Sequence, residues 1–172
     1  MKSEIFIFIV VLVTANFAPG QTAKRSPYIG YKYKSVMPGE AFSNGVNGMG
    51  GALIGDINAD PVYEIATVEK GKTKMLWLNV STGQDATGVT GWEVLDVLSF
   101  PSLLKTDYLF FYGDPGIHCS RSGKDIPNLV GVGKIYRKQA IFRPSRMWTA
   151  DLATRKFKSI SISGIKCEYS EP

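Results

Sequence analysis

Asp56, Asn58, Asp60 and Glu64 set four oxygen-bearing side chains at close, regular spacing. A tight loop built this way can offer a calcium ion several of the roughly six to eight oxygens it takes. The pattern fails at its sixth position, where calcium loops need a left-handed residue and Pro61 has its φ locked. The twelfth position is Thr67 in place of a bidentate acid. The set is a candidate for weak calcium binding only, and an Asx turn leading into a strand is the expected structure. His118, the single histidine, adjoins Cys119. A cysteine–histidine pair can generate a thiolate nucleophile, but neighbours in a strand point to opposite faces, and a cysteine in a disulfide cannot attack. Glu93 and Asp96 are the nearest pair of acids; their odd separation predicts opposite strand faces and no joint acid–base work. No serine stands in a Gly-x-Ser-x-Gly elbow, and Gly48, Gly50 and Gly51 lack the lysine and serine of a phosphate loop. The residues therefore predict no catalytic site, no cofactor and no nucleotide.

The densest basic run is Lys134, Arg137, Lys138, Arg143 and Arg146, around the turn before Pro144. Charge is uneven along the chain. Residues 24–39 carry four bases and no acid, residues 40–118 carry ten acids against four lysines, and eleven bases face four acids from Arg121 onward. Such an asymmetry suits an acidic polymer, an anionic surface or an acidic protein as partner, with the five residues above as its contact. Two halves neutralising each other within one fold is the alternative. Tyr31 and Tyr33 alternate with Lys32 and Lys34, a pattern that can stack on bases or sugars, or can form a lysine-protected edge strand. Trp77, Trp92 and Trp148 are expected in the core.

The elements that must hold these residues are short. Tyr28 to Asn58 is rich in glycine and asparagine and is expected to be loop. Beyond it, runs of β-branched and aromatic residues predict strands at 63–69, 74–80, 92–100, 108–112, 129–136, 146–150 and 157–166. Hairpins are expected across Ser81–Asp85 and across Asp151–Lys156. The predicted fold is mainly β, one antiparallel sandwich or open barrel with little helix, over residues 24–172.

Ile5 to Val13 is a run of nine apolar residues behind Met1-Lys2-Ser3-Glu4. As a helix it would cover roughly 14 Å, about half of a hydrocarbon core, so residues 1–20 read as an export signal cleaved somewhere between 15 and 23, with no transmembrane span. Outside a reducing cytosol, Cys119 and Cys167 are most simply one disulfide, worth roughly 4 kcal/mol by loop-closure entropy; free buried thiols or an intermolecular link are the alternatives. Asn79-Val80-Ser81 matches the glycosylation pattern, which matters only in an exposed position.

Leu76-Trp77-Leu78, Trp92 to Leu98 closing at Pro101, Cys119 followed by Gly123-Lys124-Asp125, and Trp148-Thr149-Ala150-Asp151 with Lys156-Phe157 and Cys167 together resemble an uncharacterised family of small exported bacterial proteins, cyanobacterial ones among them. The resemblance covers about Tyr63 to Cys167 and implies export and a C-terminal disulfide, but no activity. The expected function is that of a secreted or periplasmic, non-catalytic binding module. A structural component of envelope or matrix is the next reading, and a small hydrolase the last.

Overall fold

The computed structural model describes residues 25–34, 41–111, 114 and 116–171. The export signal expected at 1–20 lies outside them. In chain order the strands are β1 (Lys32–Lys34), β2 (Asn47–Ile54), β3 (Tyr63–Lys70), β4 (Thr73–Gln84), β5 (Thr90–Phe100), β6 (Tyr108–Phe111), β7 (Ile117–Arg121), β8 (Lys124–Asp125), β9 (Leu129–Tyr136), β10 (Ile141–Asp151), β11 (Lys156–Ile160) and β12 (Ile165–Tyr169). A single 3-10 turn, Arg137–Gln139, joins β9 to β10. All pairings are antiparallel. They form one sheet in the order β1-β5-β4-β3-β2 and a second in the order β6-β9-β10-β12-β7-β8, with β11 also paired to β10. The fold is mainly β, as the alternating and β-branched runs predict.

β4 explains the layering. Met75 to Val80 are six consecutive buried residues, which a strand covered on one face only would not tolerate. Leu76 and Leu78 pack with Ile65 and Phe100 against Val130, Val132 and Ala150 of the second sheet. Met75 and Trp77 turn the other way, toward Val46, Phe42, Val94 and the tyrosines of the N-terminal segment. The first sheet is curled enough for Tyr33, on its β1 edge, to meet Phe42 at the approach to β2, with ring centroids 4.8 Å apart. A third cluster, Phe110, Leu129, Phe142, Met147 and the two cysteines, fills the inner face of the second sheet.

Tyr28 to Asn58 is not loop throughout, a correction to the composition reading. Residues 47–54 form the eight-residue β2, paired to β3 with a bulge at Gly48/Gly50. Glycine is required there: a Cβ on Gly51 would lie 2.8 Å from both Glu64 Oε1 and the Ile65 carbonyl oxygen. The strand expected at 157–166 is two strands. Ser163 N donates to Ser161 Oγ (3.1 Å) and Ile165 N to the Ile162 carbonyl (3.1 Å), so a local turn replaces the ladder. β11 then joins β10, whereas β12 joins β7 through a Cys167–Cys119 register pair closed as a disulfide, Cα–Cα 4.1 Å. β7 and β8 carry too few branched residues to be seen in sequence.

A basic ridge on the β9–β10 hairpin as candidate functional site

Along β9, Val130 and Val132 belong to the core between the sheets, and Lys134 and Tyr136 continue the same side of the strand into solvent. Gly131 and Gly133 face inward and leave room for two phenyl rings. A Cβ would lie 2.5 Å from Phe110 Cε1 at the first and 2.6 Å from Phe142 Cζ at the second. The chain reverses through Arg137–Gln139 and Ala140, whose φ is 50°. β10 begins at Ile141, five residues earlier than expected, and runs through Pro144 because a bulge at Ser145 relieves the ladder there. Ser145 Oγ donates to the Val132 carbonyl (2.9 Å).

That bulge decides the charge pattern. Arg143 pairs with Lys134 and Arg146 with Val132, so the extra residue puts both arginines on the side that Lys134 occupies. Without it, their odd separation would divide them between faces. The Arg143 guanidinium lies 4.6 Å from the Tyr136 ring centroid and donates to Gln139 Oε1 (3.2 Å). The Arg146 guanidinium lies 5.6 Å from the Phe100 centroid and 5.7 Å from that of Trp148. Each is held against an aromatic ring, which restricts the side chain while leaving its edge of N–H donors for an oxyanion. Lys138 stands in the exposed turn beside Arg137, whose Nη1 is 2.9 Å from Glu171 Oε1. Lys134 and Lys138 have no ionic partner among the described residues. The structure thus gathers Lys134, Arg143 and Arg146 into one ridge, sets Lys138 at its end and pairs Arg137 away.

The other candidates disperse. Asp56 forms an Asx turn, its Oδ1 accepting from Asn58 N at 2.9 Å, with Asp60 exposed in the same turn. Glu64 leaves that group altogether. Its Oε2 accepts from Asn79 Nδ2 (3.0 Å) and from Tyr33 Oη (3.4 Å), beneath the N-terminal segment. The four calcium candidates therefore do not converge, because β3 alternation turns Glu64 toward the first sheet's inner face. Among the described residues no group of three or more histidine, cysteine or acidic side chains is placed to hold a metal. His118 Nε2 lies 3.2 Å from Asp125 Oδ1, on the face opposite the disulfide. A bulge at Leu95 brings Glu93 and Asp96 to one side of β5, contrary to the odd-separation argument. They remain apart in function, Glu93 meeting Lys32 at 3.5 Å and Asp96 Oδ2 accepting from Phe157 N at 2.8 Å. Tyr31 and Tyr33 pack around Trp77, with ring centroids 6.1 and 5.9 Å from it.

Sequence reasoning missed the Tyr33–Glu64–Asn79 cluster. Its signal is Asn79 inside the apolar run of β4, fully buried and hence closed to glycosylation in the folded chain. Asn79 Nδ2 also reaches Tyr33 Oη at 2.8 Å, while Asn79 Oδ1 has no partner. Burial pushes the Glu64 carboxyl above the ordinary carboxylate range, against the pull of the Asn79 and Tyr33 hydrogen bonds. Burial first, and the adjacent Glu64 second, also raise the Tyr33 hydroxyl.

No protein-family model, curated protein or solved structure matches this chain.

Proposed function

We propose that this chain is an exported, non-catalytic binding module whose β9–β10 ridge engages a partner with closely spaced anionic groups: an acidic polymer, an anionic surface or an acidic protein. The observation that carries this reading is Lys134 directly opposite Arg143, with Arg146 on the same side and no acid among the described residues paired with Lys134. Like charges facing each other across a ladder oppose folding. A hairpin that retains them, with both guanidiniums held on rings, is arranged for binding oxyanions. Export is supported by the Ile5–Val13 run and by the Cys119–Cys167 disulfide, which suits an oxidising compartment. No helix among the described residues is long and apolar enough to cross a membrane. The resemblance to small exported bacterial proteins agrees with this placement.

The test is capture of partners from an envelope fraction by the mature chain, repeated with Lys134→Glu, Arg143→Glu and Arg146→Glu combined. Loss of the captured species from a folded variant is expected. Identical capture by both forms would overturn the assignment.

A further inference from the structure

The connection that carries the chain from the first sheet to the second runs beside the ridge. Residues 101–107 leave the end of β5, where the Arg146 guanidinium lies over the Phe100 ring, and lead into β6, whose Tyr108 pairs with Gly133. Asp107 is thus one position from a residue paired to the neighbour of Lys134, and the connection sits at the same end of the second sheet as the hairpin tip. Its turn is closed on itself: Asp107 N donates to the Leu104 carbonyl (2.9 Å) and Leu104 N to Asp107 Oδ2 (3.1 Å). Leu103 packs on the core between the sheets, whereas Leu104 is 62% exposed, more than any other large apolar side chain among the described residues. Lys105 beside it is exposed, and the exposed Tyr136 follows Lys134 on the same side of β9. With Lys134, Lys138, Arg143 and Arg146, this edge presents five bases around one apolar tip. Three acids lie near them: Asp107, which caps the turn, Glu171, paired with Arg137, and Glu168, the register partner of Ile141.

We infer that this edge docks on an anionic lipid bilayer, with Leu104 entering the acyl boundary, Tyr136 at headgroup level and the five bases on the headgroup phosphates. The inference rests on the ridge reading proposed above and narrows its partner. A soluble polyanion accounts for the bases but offers Leu104 no apolar medium, whereas a bilayer of anionic lipid supplies both. A single apolar anchor or a basic patch alone holds a protein on a membrane only weakly, and the two together make a stable peripheral contact.

The experiment is flotation of the mature chain with vesicles of phosphatidylcholine and with vesicles of equal parts phosphatidylcholine and phosphatidylglycerol, with dextran sulfate binding measured in parallel. The native chain is expected on the mixed vesicles and not on the neutral ones. Leu104→Ser should weaken binding to mixed vesicles by at least about tenfold, as withdrawal of one buried leucine requires, and leave dextran sulfate affinity unchanged, which also shows that the variant is folded. Lys134→Gln, Arg143→Gln and Arg146→Gln combined should weaken both, by about fivefold per cation on the vesicles. Leu104→Trp should emit at shorter wavelength on mixed vesicles and not with dextran sulfate. Dextran sulfate bound without vesicles, equal binding to neutral and mixed vesicles, or Leu104→Ser binding mixed vesicles as the native chain does would each overturn the inference and leave the ridge reading standing. Failure of the native chain to bind either probe would remove both.

Discussion

Gly133→Ala should be among the most damaging single methyl additions in this protein, and its cost can be worked from the geometry of the hairpin that bears the ridge. A Cβ at Gly133 would sit against the Arg143 carbonyl oxygen, 2.8 Å from the Arg143 carbonyl carbon and 2.6 Å from Phe142 Cζ. Ordinary contact begins near 3.4 Å, and a carbonyl in a ladder cannot rotate aside. β9 and β10 would have to part by about 1 Å from a normal spacing of about 4.8 Å. Overpacking of this kind costs about 1–3 kcal/mol, and weakening two adjacent ladder hydrogen bonds adds about 1 kcal/mol or slightly more. The expected total is about 3 kcal/mol. With a urea slope near 2 kcal/mol/M, that moves the unfolding midpoint down by about 1.5 M, readable by tryptophan fluorescence. Gly131→Ala is the internal control. Its worst contact, 2.5 Å, is with Cε1 of the Phe110 ring, and its nearest backbone atom is 3.2 Å away, so its loss should be about 1 kcal/mol. A Gly133→Ala midpoint equal to that of the native chain, or a larger loss at Gly131, would refute the packing argument and with it the placement of Lys134 opposite Arg143.

Two further outcomes follow from the buried and cross-linked groups. Glu64 has its native pKa raised by burial, so its contribution to stability is fully present below its unfolded pKa, about 4.3, and is lost as pH rises through the native value. Glu64→Gln should therefore gain stability over the native chain at neutral pH and lose that advantage below about pH 4 in thermal melts; a difference independent of pH would contradict the buried carboxyl. Replacing Cys119 and Cys167 together by alanine should cost roughly 4 kcal/mol, measured by denaturant unfolding, since the bridge spans 48 residues. A loss below about 1 kcal/mol would show that loop closure is not what the bridge contributes.

The sequence predicted the fold class and most of the strands because their signals are local. Branched and aromatic runs marked β3, β4, β5 and β9 to within a few residues, and both expected hairpins form, but Ser81–Gln84, expected as turn, extend β4 and the chain reverses instead at Asp85–Val89. What escaped it depended on pairing. The glycine-rich β2 is a strand because it pairs with β3, and Glu64 packs over Gly51, where a side chain would clash; neither is visible in composition. The turn at Ser161–Gly164 divides one apolar alternation into strands with different partners. Ser145 is an inconspicuous residue, yet as a bulge it places Arg143 and Arg146 on one face. A basic cluster was legible from the charge run alone, but which of its members converge was not. Arg137 was expected to belong and is held by Glu171 at the chain's end. The calcium spacing illustrates the reverse case, in which regular spacing in sequence lost its fourth oxygen to strand alternation.

The most direct test of the central claim is the salt dependence of binding to a defined polyanion, dextran sulfate, with unsulfated dextran as reference. The native chain is expected to bind only the sulfated polymer, with log K falling linearly against log salt. Removing Lys134, Arg143 and Arg146 together, as glutamines in a folded variant, should flatten that slope by about one unit per cation, as counterion release requires. An unchanged slope and affinity in the triple variant would contradict the ridge as the site of contact.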